Sequence, residues 1–270
     1  MRKHILDYFG EIHGAYIHAK GKVASRQLIE LLDCQPEEQI LEIGFGSGAS
    51  LVQLAADFRK TKFYGIETSE TMYGTAKKRI AFSLLTGSIN LKLVGKENNI
   101  PFNDNFFDKV FAESVLAIQE GENLNQILLE IKRILKPDGT FILNETIWLD
   151  SIDSVTAAEI NAACKKAFGI IQSNSEIIHL ADWETKLTQY GFETDKVIRI
   201  HENTEVPKIA FNLKRILSDI YTQMGKIKLL LSPTLRREWK NYTREMKSIF
   251  QPNKQLMEGI IIKAVNRKEW

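Results

Sequence analysis

The sequence predicts an α/β fold: a seven-stranded, mostly parallel sheet with helices on both faces, an antiparallel last strand and a helical lid insertion. Three observations carry this prediction. Between residues 39 and 146, short apolar segments alternate with segments of helical periodicity, as in a parallel sheet. A glycine-rich turn follows the first apolar segment, and a last apolar segment follows two amphipathic helices near the carboxyl terminus.

Strands are predicted where apolar residues cluster between turn residues, and helices where apolar residues recur every three or four positions. The predicted strands span residues 39–43, 62–66, 90–94, 108–112, 140–146, 193–200 and 257–265. The predicted helices of the core span residues 21–32, 48–58, 70–84, 122–134, 154–168 and 181–190.

Two further amphipathic helices are predicted within residues 205–250. The first has Pro207 near its start, where a missing N–H costs no hydrogen bond, and an apolar stripe of Ile209, Leu213, Ile216, Leu217, Ile220, Met224 and Ile227. The second begins with Ser232 as its cap and Pro233 at its first position. Its apolar stripe, Leu235, Trp239, Tyr242, Met246 and Ile249, predicts packing into a core. We interpret this helical pair as an insertion between two strands that pair with each other at the sheet edge.

These elements divide the chain into five predicted segments. They are an amino-terminal helical cap (1–38), a ligand-binding core (39–146), helices and an edge strand that complete the core (147–203), the lid insertion (204–253) and the final antiparallel strand (254–270). Right-handed crossovers place the carboxyl ends of the parallel strands at one edge of the sheet, where such sheets bind ligands.

Composition indicates a globular protein of a reducing compartment. The 270 residues are 44% apolar, which is enough for a real core. The only two cysteines, Cys34 and Cys164, are far apart and show no metal-binding or redox spacing, so we expect no disulfide framework and no metal. No segment has the roughly 18 apolar residues of a membrane span, and the amino terminus lacks the apolar core of a signal peptide. We therefore predict a cytoplasmic protein without integral membrane association.

Charge is distributed unevenly along the chain. The formal net charge is +2, but residues 196–270 hold 16 basic and seven acidic residues, a local charge of +9. A solvated helical face is the simplest explanation. An anionic substrate, a nucleic acid or an anionic membrane surface are the alternatives.

The glycine turn allows two chemical interpretations. Residues 40–49 read ILEIGFGSGA, which matches the dinucleotide pattern G-x-G-x-x-A and also the pattern E-x-G-x-G-x-G, in which an acid stands inside the strand. Glu67 ends the second strand, where a carboxylate can bind ribose hydroxyls. Both interpretations share that acid, so the choice depends on residues outside the turn.

Four blocks in order decide between them: ILEIGFGSGAS (40–50), YGIETSETM (64–72), PFNDNFFDKV (101–110) and RILKPDG (133–139). With these blocks the chain resembles the class I S-adenosylmethionine-dependent methyltransferases, in particular the ubiquinone/menaquinone-biosynthesis and sarcosine/dimethylglycine-type small-molecule branch. The resemblance implies a Rossmann-like core and S-adenosyl-L-methionine as the cofactor.

The resemblance also implies which residues hold that cofactor. The methionine part would lie against Glu42 and the glycine loop, the ribose against Glu67, and the adenine beside Thr68 and Met72. The family's adenine-binding acid is shifted by one position here, so Glu97, Asn98 or a backbone group would take that contact. The implied cofactor residues are Glu42, Gly44, Phe45, Gly46, Ser47, Gly48, Glu67, Thr68, Met72, Glu97, Asn98, Glu113 and Ser114.

Glu113 follows the fourth strand in the loop that faces the methyl group in this family, and it is the first candidate catalytic residue, with His18 as the second. A contact to the cofactor or a structural hydrogen bond is the alternative role for Glu113. The predicted substrate pocket comprises Tyr16, His18, Trp148, His179 and Trp183. The alternative role of each histidine is a surface position or a helix cap, and the alternative role of Trp183 is packing in the core.

The sequence thus predicts a methyltransferase that moves a methyl group from S-adenosyl-L-methionine to a small-molecule acceptor by in-line displacement. A lipid-like quinone precursor or a nucleic acid is the alternative acceptor, although no nucleic-acid-binding module is evident. An NAD-dependent oxidoreductase would fit only the glycine turn and Glu67. A cofactor-binding protein without catalysis is the third alternative, suggested by Lys96 at the usual acidic position.

Overall fold

The computed structural model describes residues 4–18, 21–95, 99–200, 211–250 and 255–267. The strands are β1 Gln39–Ile43, β2 Lys62–Glu67, β3 Ile89–Leu93, β4 Phe107–Glu113, β5 Leu135–Trp148, β6 Phe192–Ile200 and β7 Met257–Asn266. The helices are α1 Ile5–Glu11, α2 Gly21–Leu32, α3 Ala49–Asp57, α4 Glu70–Phe82, α5 Glu122–Ile134, α6 Ser154–Phe168, α7 Leu180–Gln189, α8 Leu213–Leu231 and α9 Pro233–Ile249.

The seven strands form one sheet in the order β3-β2-β1-β4-β5-β7-β6. Strands β1 to β5 pair in parallel, and β7 runs antiparallel to both β5 and β6. The predicted sheet, its antiparallel last strand and the pairing of the two strands that flank the helical pair are confirmed. The carboxyl ends of β1, β2, β4 and β5 therefore meet at one edge of the sheet. Sheets of this kind bind ligands at that edge.

Apolar side chains cover the sheet on both faces. One face packs mainly against α5 and α7, with Leu128 and Trp183 fully buried. The other packs against α2, α3 and α4, with Leu28 and Leu51 fully buried. Gly65 in β2 is part of this second layer, because a Cβ there would lie 2.6 Å from a ring carbon of Phe45. A glycine in the strand therefore makes room for the ring that fixes the turn after β1.

Three elements differ from the predicted boundaries. Strand β5 begins at Leu135 and extends five residues earlier than predicted. Helix α1 was not predicted, because seven residues are too few to show a helical period; it buries Ile5 and Tyr8 in a cluster with Leu235 and Tyr242 of α9. Helix α8 begins at Leu213, and the predicted earlier start around Pro207 lies outside the described residues.

The helical pair does not bury all the residues that its periodicity predicts. In α9, Leu235 and Tyr242 are buried as predicted, whereas Trp239 and Met246 are partly exposed. In α8 the buried residues are Ser218, Tyr221 and Gly225, and the apolar stripe faces outwards. Within the described ranges, none of the helices is both long and apolar enough to span a bilayer.

Candidate functional site

The turn after β1 is held against the end of β2. The backbone N–H groups of Gly44 and Phe45 both donate to the Ile66 carbonyl, at 2.9 and 3.3 Å. Gly44 has a φ of +66°, and a Cβ there would lie 2.5 Å from a methyl carbon of Val115. Gly44 therefore lets the loop after β4 pack directly on the turn.

Gly46 plays a different part in the same turn. Its φ is +52°, and no atom lies within 4 Å of the position that a Cβ would take. The backbone here borders open space at the carboxyl edge of the sheet. Such a glycine allows a ligand to approach the main chain closely.

Glu67 joins this turn to the amino end of α4. Its Oε1 accepts from the N–H groups of Thr68 and Ser69, at 2.7 and 2.9 Å, and its Oε2 accepts from Gly46 N at 2.9 Å. A carboxylate has about four acceptor positions, so Oε2 retains one for a ligand hydroxyl. Met72 is buried in the first turn of α4, where its N–H donates to Ser69 Oγ.

Glu42 is a buried acid inside β1. Its side chain is 3% exposed, and its Oε2 has no hydrogen-bond partner among the described residues. Burial raises the pKa of this carboxyl well above its usual range, and the negative charges of Glu113 and Glu67 raise it further. A buried polar atom without a partner is costly. The atom therefore fits a ligand that brings a donor group, such as the ammonium of a methionine moiety.

Glu113 ends β4 at the centre of a buried polar cluster. Its Oε1 accepts from Ser50 Oγ at 2.5 Å. Its Oε2 lies 2.7 Å from Ser25 Oγ, 3.0 Å from Asn144 Nδ2 and 3.1 Å from His18 Nε2. Side chains from four separate segments thus converge on one carboxylate, three as hydrogen-bond donors and His18 at ion-pair distance. We refer to these five residues as the Glu113 cluster.

Both ring nitrogens of His18 are used within this cluster. Asn144 Nδ2 donates to Glu113, which orients the amide, and the same nitrogen lies 3.3 Å from His18 Nδ1. Because an amide nitrogen can only donate, Nδ1 is the acceptor and Nε2 carries the proton, which it donates to Ser25 Oγ at 2.9 Å. In this arrangement His18 fastens the amino-terminal segment to the sheet edge. Ser114 follows with a φ of +54°, and its N–H donates to the Asn144 carbonyl.

Tyr16 lies beside the Glu113 cluster. Its hydroxyl donates to Gln53 Oε1 at 3.1 Å, and its ring meets that of His18 edge to face. Burial raises the pKa of the Tyr16 phenol. A cleft lies beside this cluster, against the amino end of α8. Its lining includes Tyr16, Gln53, Lys22 and Arg26.

The other three predicted pocket residues do not line this cleft, although Trp148 ends β5 at the same edge of the sheet. Trp148 is fully buried, and its Nε1 donates to the Ser173 and Asn174 carbonyls. Trp183 is fully buried in the core beneath the sheet. His179 caps the start of α7, as its competing capping role predicted. Two predicted adenine contacts, Glu97 and Asn98, lie outside the described residues together with Lys96.

Arg79 on α4 is a residue of this region that sequence reasoning missed. The side chain is fully buried. Its Nε donates to the Ser47 carbonyl of the glycine turn at 2.9 Å, and its Nη2 donates to the His13 carbonyl at 3.0 Å. Its Nη1 donates to the Ser218 carbonyl and to Thr222 Oγ1 of α8. Burial lowers the pKa of this guanidinium to about 10. One side chain therefore joins the glycine turn, the amino-terminal segment and α8.

Glu145 is a second missed residue, inside β5. Its carboxylate accepts from the N–H groups of Val115, Leu116 and Ala117, at 3.0, 2.8 and 3.2 Å. Burial raises its pKa from 4.5 to about 7, although the three backbone donors act in the opposite direction. This acid fixes the loop after β4 that packs on Gly44.

We expect Glu145 to make folding stability depend on pH. Its folded-state pKa of about 7 exceeds the unfolded value, so its contribution is fully present below about pH 4.5 and is lost as the pH rises through about 7. A shift of this size corresponds to about 3 kcal/mol. Denaturant unfolding of the wild type and of Glu145→Gln between pH 4.5 and 8 measures this, and the free-energy difference between them should change across that window. A constant difference would contradict the assignment.

Known proteins of similar sequence include several methyltransferases. The family model described as a methyltransferase domain matches residues 41–143. The methyltransferase GfsG of Streptomyces halstedii is 22% identical over 187 residues, which cover 68% of this chain and 63% of that protein. The demethylmenaquinone methyltransferase of Symbiobacterium thermophilum is 32% identical over 121 residues, 44% of this chain and 47% of that protein. The chain thus matches about half to two thirds of the length of these relatives.

A solved structure shows the same fold along nearly the whole chain. The Galdieria sulphuraria protein assigned as a sarcosine dimethylglycine methyltransferase has a TM-score of 0.64 and 15% identity, with 97% of this chain and 98% of that chain covered. At this identity the likeness concerns the fold alone, and it confirms the predicted Rossmann-like architecture. Within the described ranges, no group of three or more His, Cys, Asp or Glu residues is placed to hold a metal ion.

Proposed function

Because residues 41–143 form a class I S-adenosylmethionine-dependent methyltransferase domain, we propose that the chain methylates a small-molecule acceptor with S-adenosyl-L-methionine as the methyl donor. The observation that carries the proposal is the edge formed by the glycine turn, Glu67 and Glu42. It combines open space at Gly46, an acceptor at Glu67 and a buried carboxyl oxygen of Glu42 without a partner. A nucleoside that carries an amino acid group meets these three features.

The residues of this edge would hold the cofactor from three sides. The Gly46 main chain allows close approach, Glu67 accepts from a ribose hydroxyl, and Glu42 accepts from the amino group of the methionine part. When bound, the cofactor supplies a methyl group on a sulfonium centre. The acceleration that the protein adds comes mainly from alignment, since in-line displacement depends on the distance and angle between the reacting atoms.

Within the proposal, Glu113 and His18 position the site. Glu113 already accepts three hydrogen bonds, and both nitrogens of His18 are used, by Asn144 and by Ser25. They hold the amino-terminal segment against the sheet edge, so that Tyr16 borders both the edge and the cleft beside α8. A dedicated general base is therefore not part of the proposed mechanism, which relies on acceptors that are nucleophilic without one.

The size and composition of the cleft favour a small molecule as the acceptor. Its lining combines the Tyr16 ring with Arg26 and with Lys22, which pairs with Asp219 of the same lining at 2.9 Å, and this mixture suits a compact polar group. We also propose a cytoplasmic location, which the two free thiols of Cys34 and Cys164 support, because reducing compartments keep cysteines unpaired.

Calorimetric titration with S-adenosylmethionine, S-adenosylhomocysteine and NAD tests the proposal. We expect both sulfur compounds to bind with similar affinity, since Glu42 and Glu67 contact parts that the two share. NAD should show no heat of binding at the same concentrations. Tight binding of NAD without binding of the sulfur compounds would overturn the proposal in favour of the dinucleotide interpretation of the turn.

A further inference from the structure

Helix α8 exposes a continuous apolar face. Six large apolar residues on this face, between 38% and 76% exposed, recur at spacings of three or four: Leu213, Ile216, Ile220, Met224, Ile227 and Leu231. We call these residues the α8 stripe. Because the helix has 19 residues, the stripe extends for about 28 Å. An exposed apolar surface of this length on a protein usually marks an interaction site.

The opposite face of α8 is anchored, so the stripe cannot turn inwards. Asn212 Nδ2 donates to the Ala56 carbonyl at 2.8 Å, and Arg215 pairs with Asp57 at 2.6 Å. Further along, Gly225 is pressed against the backbone at Ile12, where a Cβ would overlap the main chain. The outward orientation of the stripe is therefore part of the fold.

Positive charge accompanies the stripe. Residues 211–250 contain nine basic and three acidic residues, a formal charge of +6. Lys226 and Lys228 are exposed on the two sides of the α8 stripe. On α9, five exposed basic residues lie on the face opposite the buried Leu235 and Tyr242: Arg236, Arg237, Lys240, Arg244 and Lys247. We call these five the α9 basic row.

We propose that the α8 stripe and the α9 basic row dock this protein on an anionic lipid surface. An apolar helix face enters the boundary between headgroups and acyl chains, and basic side chains beside it contact acidic headgroups. A second copy fits less well, because a symmetric contact through this face would bring two copies of the α9 basic row close together. A nucleic acid would contact the basic row but would leave the stripe in water.

Docking would also orient the rest of the molecule. Ile216 belongs to the stripe and also lines the cleft that contains Tyr16 and Gln53. The opening of that cleft would therefore lie at the lipid surface. This binding does not depend on methyl transfer and can be measured without any cofactor.

Co-sedimentation of the full chain with lipid vesicles tests the proposal. We expect binding to phosphatidylcholine vesicles that contain about 30% phosphatidylglycerol, weaker binding to pure phosphatidylcholine, and a loss of affinity at high salt. Ile220→Ser with Ile227→Ser should weaken binding at least about ten-fold by removing apolar contact. Arg237→Gln with Lys240→Gln should weaken it about 25-fold, since each basic residue contributes about five-fold.

A matched control removes the same charge elsewhere. Lys165→Gln with Lys166→Gln on the exposed side of α6 should leave vesicle binding within about two-fold of the wild type. All substituted residues are solvent-exposed, and thermal unfolding verifies that each variant folds. Absence of vesicle binding, or equal binding to both lipid compositions, would overturn the proposal. A dimer of the wild type that the stripe variant dissociates, without vesicle binding, would assign the surface to a second copy instead.

Discussion

Gly46→Val is expected to lower the affinity for S-adenosylhomocysteine at least about 100-fold, or about 2.8 kcal/mol of binding free energy. The new side chain would occupy the open space beside the glycine turn, where no protein atom lies within 4 Å. The protein itself should still fold, because the valine displaces nothing. Calorimetric titration of the variant measures the affinity.

Gly87→Val is the matched control for that variant. Gly87 also has a positive φ, +84°, and a Cβ there would also meet no atom within 4 Å. It lies in the turn between α4 and β3, away from the carboxyl edge. Both substitutions should cost about 1–2 kcal/mol of folding stability, because a valine in left-handed backbone is strained. Only Gly46→Val should lose the ligand, and equal affinities in the two variants would exclude the turn from the site.

Arg79→Met is expected to reduce the free energy of unfolding by at least about 3 kcal/mol. Methionine fills much of the same volume but removes the Arg79 donor from the Ser47, His13 and Gly14 carbonyls, at about 1–3 kcal/mol each. Because Ser47 belongs to the glycine turn, the affinity for S-adenosylhomocysteine should also fall about ten-fold through lost preorganisation. Urea unfolding and calorimetry measure the two effects.

Arg133→Met separates the two effects of Arg79. Arg133 also donates to several acceptors, among them the Phe102 carbonyl and Glu130, but it lies at the end of α5, away from the glycine turn. This control should lose stability and keep the wild-type affinity. If Arg79→Met also kept full affinity in its folded fraction, Arg79 would be a stabilising residue with no part in positioning the turn.

The sheet order and the glycine edge could be predicted because short-range patterns encode them. Apolar strands alternate with helical periods, and Glu42, Gly46 and Glu67 stand at fixed distances from strand ends. The Glu113 cluster could be predicted only in part. His18 and Asn144 are 126 positions apart, and no spacing rule connects them before the sheet is formed. Residue type suggested His18, and only the fold shows that both its nitrogens are used.

Arg79 and Glu145 were missed for a related reason. Arg79 follows Met72 and Ala76 at helical spacing, so its place on the buried face of α4 was visible, but its acceptors come from distant segments. Trp148 and Trp183 were predicted at the pocket because they lie in segments outside the Rossmann-like core, and sequence position does not distinguish a pocket ring from a ring that packs in the core. For α8 the periodicity located the stripe correctly, but a period does not reveal which face meets the protein.

Co-crystallisation with S-adenosylhomocysteine tests the central claim most directly. We predict that the ligand lies at the carboxyl edge and contacts the main chain of Gly46. Its ribose should lie at the Glu67 carboxylate, and its amino group within hydrogen-bond distance of Glu42 Oε2. A ligand bound elsewhere, or one that leaves Glu42 Oε2 without a partner while Gly46 faces solvent, would contradict this account.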